Sequence, residues 1–437
     1  MTCFQDKNLP GKSIYDRIQK LFPINRSITG EGVRKSLQMI REEVPELEIK
    51  RVASGTRVLD WTVPREWNIR DAWIKTPDGR KLARFTENNL HVMGYSEPVS
   101  ATMALEDLKK HIFTLPEHPD RIPYRVSYYR SGWAFCLSHN ELLSLPSGDY
   151  EVFIDSEFSQ GELNYGEVFL PGETSEEFLI SCYICHPSMA NDSLSGVGLA
   201  AELARVLSGR KNRLSYRILF IPETIGAIAW LAANRENVGK IRFGLVATCL
   251  GDPGAFTYKR SRIGNAPIDR IAEYVLKSAA MPHEIEDYSP TGSDERQYCS
   301  PGFNLPVGSL MRSRYNRFDE YHTSADNMDF ITAGALDETF RAYLAITEIA
   351  ETNRTCRNLQ PFGEPNLGKR GLYENQRTLA DFPALQTALL WVLNYSDGRH
   401  DLLDIATRSG IDYEVVRRAA EALSQQNLLE TVACNDQ

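Results

Sequence analysis

No stretch of this 437-residue chain approaches the roughly 18 consecutive apolar residues that a membrane-spanning helix needs, so a bilayer is not its expected solvent. The opening MTCFQDKNLPGKSIYDRIQK lacks the basic start and apolar core of a secretory signal, which makes the cytoplasm the expected compartment. Cysteine is sparse, eight residues without framework spacing; that excludes a disulfide-stapled fold and fits a reducing environment. An excess of positive charge is also missing. The formal net charge of −9 offers neither nucleic acid nor an anionic membrane any nonspecific attraction. What is present, 42% hydrophobic and 24% charged residues, is the composition of a globular protein, and the length suggests two to four domains.

Apolar residues at helical spacing predict helices over 13–22 and 31–43, separated by the polar loop Asn25-Arg26-Ser27-Ile28-Thr29-Gly30. The alternating segment LEIKRVASGTRVLDW then reads as a strand. From about residue 58 to 149, turn signals at Thr76-Pro77-Asp78-Gly79 and Leu145-Pro146-Ser147-Gly148 divide short strand-like runs, an inserted β-rich domain with Trp61, Trp67, Trp73 and Trp133 in its core. Strands at 151–155, 178–184, 214–221 and 243–250 alternate with helices at 193–207, 225–235 and 267–280, the pattern of a mostly parallel sheet flanked by helices. A strand at 307–311 and a helix over 333–351 complete that region, so the main α/β domain is discontinuous, 1–57 with 150–355. Residues 356–437 hold the rest of a linker, 353–383, and three short helices with a following Leu-Leu segment, which read as a winged helix-turn-helix.

The stretch FLISCYICHPSMANDSLSGVG, 178–198, is the centre of this arrangement. An apolar β-branched run stops at His186, Asp192 follows six residues later, and small residues open a helix. Such a strand–turn–helix junction lies at the carboxyl edge of a parallel sheet, where open α/β folds keep their ligands. The next strand ends at Glu223, the one after it near Asp252, and FDEYHTSAD brings Glu320, His322 and Asp326. Histidine and carboxylates without clustered cysteines suit zinc in an open catalytic site, with a nearby carboxylate as general base. Cys182-Tyr-Ile-Cys185-His186 also spells a haem-attachment motif, but inside an apolar strand the two cysteines cannot bridge one porphyrin, and they read as buried core. Glu223 has a second reading as a cap for the following helix. The loop Thr291–Arg296 is placed to lean over the site, with Asp294 and Arg296 as candidate substrate contacts.

These residues resemble the zinc aminopeptidases of the α/β type, over roughly 13–57 and 150–350. The resemblance implies His186 as the first ligand, Asp192 as the bridging carboxylate, Glu223 as the base and His322 as the last ligand. CHPSMANDSLSG and EYHTSAD are similar to strings of a bacterial aminopeptidase-like group with an inserted domain and a winged helix, often encoded beside polysaccharide-biosynthesis genes. One departure stands out: where the aminopeptidases carry a second glutamate, a zinc ligand, this chain has Thr224. The expectation is therefore one zinc ion, held by His186, Asp192 and His322.

The expected function is a zinc-dependent hydrolase of peptide or other amide bonds in small substrates. The alternatives are a catalytically inactive binding or regulatory protein, and a deacylase of a sugar or envelope precursor. From residue 361 onward seven Lys and Arg face eleven Asp and Glu, and the candidate recognition helix offers only Arg417 and Arg418. An acidic module is a poor DNA binder, so the winged helix is expected to serve a protein partner or self-association.

Overall fold

The computed structural model describes residues 10–372 and 382–432. It divides into two compact units, Met1–Ala272 with Met281–Leu344, and Glu273–Ala280 with Ala345–Gln437. Helices α1 (Pro10–Leu21) and α2 (Glu31–Glu43) lead into strand β1 (Leu47–Ala53). Strands β2 (Glu66–Lys75), β3 (Val99–Ala104) and β4 (Asp149–Ser159) join the short strand Lys81–Leu82 in an antiparallel sheet of four. The chain continues through β5 (Glu162–Leu170), β6 (Glu177–Tyr183), helix α3 (Ser195–Ser208), β7 (Ser215–Ile221), helix α4 (Ile225–Ala233) and β8 (Ile241–Ala247). Strands β9 (Phe256–Lys259), β10 (His283–Glu286) and β11 (Val307–Met311) follow, with helices α5 (Pro267–Ser278) and α6 (Ala333–Thr352).

The large sheet has eight strands in the order β1-β5-β7-β6-β8-β11-β9-β10. Its centre, β7-β6-β8-β11, is parallel; β1, β5 and the β11–β9 pair are antiparallel. The sheet is thus mixed around a parallel heart. Every residue of β6 is buried, as a strand covered on both faces requires, and its run of apolar residues follows from that. Small residues then let α3 approach closely. A Cβ on Gly196 would stand 2.0 Å from the Ala247 carbonyl oxygen, and one on Gly198 would stand 2.9 Å from Ile14 of α1. Arg17 of α1 secures that contact, donating to Gly198 O at 3.0 Å and pairing with Glu202 at 3.1 Å.

Two sequence expectations shift. The strand expected at 151–155 exists, but as part of β4 it pairs with β2 and β3 rather than with the large sheet. The segment expected to be one strand over 47–61 stops at Ala53; Gly55, at φ 85°, starts a turn into the two-residue hairpin strands Arg57–Val58 and Trp61–Thr62. Strands β5, β9 and β10 had no clear sequence signal.

In the second unit, β12 (Thr355–Asn358), β13 (Asp397–Asp401) and β14 (Leu429–Val432) form an antiparallel sheet in the order β13-β12-β14. Helices α7 (Phe382–Tyr395), α8 (Leu402–Ser409) and α9 (Tyr413–Gln425) supply its apolar core through Leu389, Val392, Leu403, Val416 and Leu423. A capping box, Asp401 with Asp404, starts α8, and Gly410 at φ 67° ends it. Sheet and helices make the expected winged helix. The expected linker, 353–383, already contributes β12, and its residues 373–381 lie outside the described residues.

Candidate functional site

The parallel register of β6 with β7 and β8 brings their carboxyl ends side by side, and the side chains that leave those ends share one corner. His186 stands three residues beyond β6. Its carbonyl oxygen accepts from Arg26 Nε at 3.1 Å and from Arg26 Nη2 at 2.8 Å, so the loop before α2 fixes the backbone of this histidine. Burial drives the imidazole pKa down to about 4, with Asp192 opposing the shift; the ring is neutral at physiological pH.

Asp192 is fully buried. Its backbone N–H donates to Asp326 Oδ2 at 2.9 Å, and Oδ1 accepts from the Tyr183 hydroxyl and from Thr248 Oγ1 at 3.3 Å. Burial alone would raise its pKa; the imidazoles of His186 and His322 and the Tyr183 hydroxyl outweigh that and hold it near 2. One oxygen is therefore occupied and the other is not. Asp192 Oδ2 lies 3.0 Å from His322 Nε2 and 4.0 Å from His186 Nε2, yet neither Oδ2 nor His322 Nε2 has a hydrogen-bond partner. The ligand atoms of His186, Asp192 and His322 all fall within 4.8 Å of one another, and among the described residues no other group of three or more such side chains does so. Ligands about 2.0–2.1 Å from a tetrahedral zinc stand roughly 3.3 Å apart; the Asp192–His322 pair at 3.0 Å is close to that spacing and the Asp192–His186 pair at 4.0 Å is wider.

Glu223 follows β7 and places Oε2 3.8 Å from His186 Nε2, with its backbone N–H donating to Cys185 Sγ at 3.3 Å. Burial first, then the carboxylates of Asp294 and Asp192, raise its proton affinity well above that of an ordinary glutamate. Thr224 adopts φ 64°. Its N–H donates to Asp294 Oδ1 at 2.7 Å and its hydroxyl oxygen accepts from Arg296 Nη2 at 2.8 Å, so Asp294 and Arg296 both hold the turn that carries Glu223. Asp252 does not join the cluster: it is buried and accepts from Asn191 Nδ2 at 2.9 Å and Ser313 Oγ at 2.6 Å. Asp326 lies one step back from the ligands, accepting the N–H groups of Asn191 and Asp192, while Glu320 pairs with Arg121 at 3.7 Å.

Several partners escaped the sequence reading. The Tyr124 ring stands 5.0 Å from both the His186 and the His322 rings, and its backbone N–H donates to the His322 carbonyl at 2.8 Å. Tyr183 and Tyr321 complete an aromatic wall. Tyr183 was legible only as another apolar strand residue, although a hydroxyl at the strand end, three residues before a candidate ligand, is a signal for it.

A family described as a domain of unknown function (DUF4910) matches residues 15–353. The chain belongs to this family. A winged helix-turn-helix family matches 354–431. A relative from Clostridium acetobutylicum, provisionally named a polysaccharide biosynthesis protein with aminopeptidase-like domain, is 50% identical over 428 residues, 98% of each chain. A crystal structure from the same organism, provisionally described as a peptidase, is 50% identical and aligns with a TM-score of 0.91, covering 97% of this chain and 96% of that one. A zinc aminopeptidase from Bacillus subtilis, only 10% identical, aligns with a TM-score of 0.58 over 79% of this chain and 96% of its own. This DUF4910 member thus has an aminopeptidase-like α/β fold followed by a winged helix, as the sequence implied. Among its described residues no helix is long and apolar enough to cross a membrane.

Proposed function

We propose that the chain is a zinc-dependent hydrolase of amide bonds, with His186, Asp192 and His322 holding one zinc ion and Glu223 acting as general base. The observation that carries this reading is the convergence of three ligand atoms within 4.8 Å, with a carboxylate 3.8 Å from one of them. Bound zinc would supply Lewis-acid polarisation of the scissile carbonyl and lower the pKa of a coordinated water.

The protein's own groups do the rest. Glu223 accepts a proton from the attacking water and delivers it to the departing nitrogen, which leaves as a neutral amine. Asp294 and Arg296, through Thr224, hold the turn on which Glu223 is mounted. Tyr124, Tyr183 and Tyr321 wall the corner and limit water there. The name of the Clostridium relative joins polysaccharide biosynthesis to an aminopeptidase-like domain, which keeps an amide borne by a sugar as a second reading beside a peptide. We read residues 58–149 as an insert into a catalytic domain formed by 1–57 and 150–355, and 356–437 as linker and winged helix.

We place the protein in the cytoplasm, a reading supported by the six described cysteines, all buried and unpaired. The winged helix fits a protein partner or self-association better than DNA, because Arg417 of α9 is already engaged by Glu414 and Glu421. Metal analysis of the purified protein tests the core of the proposal. About one zinc per chain, together with turnover of N-acyl or aminoacyl amides that Glu223→Gln abolishes, is the expected result. Metal-free protein would overturn it, and metal without turnover would turn the reading to a binding protein.

A further inference from the structure

The loop Asn25–Gly30 does more than anchor His186. With the start of α2 and with β2 it encloses a second cavity, of about 210 Å³. Asn25, Ser27, Asn68 and Asn89 give it a polar lining and half-buried Phe85 an apolar one, while Trp67 borders it with its indole packed into the core against Tyr95. A narrower recess shares Asn25, Ser27, Trp67, Phe85 and Asn89 and runs on to Tyr124 and Pro187.

Hydrogen-bonding capacity is left over here. Ser27 Oγ is buried and has no partner, an arrangement proteins rarely leave unexplained. Asn89 donates through Nδ2 to Ser188 Oγ at 2.8 Å and to the Pro23 carbonyl at 3.2 Å, which leaves its own carbonyl oxygen for another donor. Gly30, at the N-cap of α2, offers no side-chain cap; Asn68 accepts the Glu31 N–H at 2.8 Å and donates to Glu66 Oε1 at 3.0 Å, so its amide is engaged on both sides.

Charge decides what such a cavity accepts. The Arg26 guanidinium is spent on backbone carbonyls, those of His186, of Leu21 at 2.6 Å and of Ile24 at 3.0 Å. Glu31, the one charged side chain in the wider cavity's lining, is an exposed carboxylate paired with Arg34 at 2.9 Å. An anion would find no free cation and one negative rim. Neutral amides and a hydroxyl facing aromatic carbon instead match a ligand that alternates hydroxyl groups with an apolar C–H face.

We propose that this cavity is a binding site for a neutral sugar ring, separate from the metal cluster and joined to it through Arg26 and Asn89. The joint is the segment 186–188, where Arg26 holds the His186 carbonyl and Asn89 the Ser188 hydroxyl. None of the lining residues is a proposed zinc ligand, so binding does not require a metal ion.

Calorimetric titration with the methyl glycosides of N-acetylglucosamine, galactose and rhamnose tests the site, with tryptophan fluorescence as a second signal because Trp67 lines the cavity. Saturable binding of at least one glycoside is expected. Asn25→Leu, which replaces an amide by a branched alkyl group, should weaken it by roughly tenfold or more, the equivalent of one lost buried hydrogen bond. Phe85→Ala, at a half-buried position, provides a second variant should Asn25→Leu fail to fold. Absence of binding by all three glycosides in the tens-of-millimolar range would overturn the proposal. So would displacement of the glycoside by inorganic phosphate, or an affinity unchanged in the folded variants.

Discussion

Two of the charged clusters buried in the first unit are finished differently. Lys259 and Glu295 are fully buried, and the ammonium group donates to Glu295 Oε1 at 2.8 Å, to the Thr291 carbonyl at 2.6 Å and to the Tyr315 hydroxyl at 3.2 Å. Its three donors are all taken. In the His186–Asp192–His322 cluster the neighbouring protein satisfies one side of Asp192 and leaves Oδ2 and His322 Nε2 turned toward each other without a bond. Burial is common to both. The second differs in leaving a carboxylate oxygen and an imidazole nitrogen unpartnered 3.0 Å apart, whereas the first leaves Glu295 Oε2 unpartnered beside a cation whose donors are all engaged.

Substitutions can break this contrast, and the largest effect is expected at the ligands. His186→Ala or His322→Ala should reduce zinc, measured by plasma emission spectrometry, from about one per chain to near zero and take turnover with it. Glu223→Gln should keep the zinc and lower the turnover rate by about 10²–10⁴-fold in the same amide assay. In the closed cluster, Lys259→Met strands a buried carboxylate; denaturant unfolding should show a loss of about 3–5 kcal/mol, with zinc per folded chain unchanged. Thr224→Val removes the acceptor for Arg296 and should cost about 1–3 kcal/mol in the same measurement without changing the number of ions bound. Arg417→Ala marks the lower end: its ion pairs lie near the surface, so stability should change by less than about 1 kcal/mol, and a low-salt gel shift should stay negative for parent and variant alike.

The contrast also explains what could be read in advance. Strands β6, β7, β8 and β11 were legible because a parallel strand covered on both faces must be apolar along its whole length. Strand β5, ELNYGEVFL, mixes Glu, Asn and Gly into its run, and β9 and β10 are only four residues each, so neither pattern stood out. The assignment of 151–155 to the large sheet failed because pairing is nonlocal: β4 finds its register against β2, about eighty residues earlier. His186, Asp192, Glu223 and His322 were visible as ligand-type residues at turns. Their supporting residues were not, since Tyr124 and Arg26 reach the corner only through tertiary contacts, and Thr224 carried no hint of its two partners.

The pairing of residues 122–124 with 322–324 sets the order of assembly. Ile122 N–H donates to Ser324 Oγ across 202 positions of sequence, and Tyr124 N–H takes the carbonyl of His322. Closing so long a loop is entropically late work for a folding chain. With the ligands proposed above, an ion that arrives before this closure would meet His186 and Asp192 without His322, and a site with two of three ligands holds zinc poorly. On the proposed reading, metal loading is thus tied to completion of the fold.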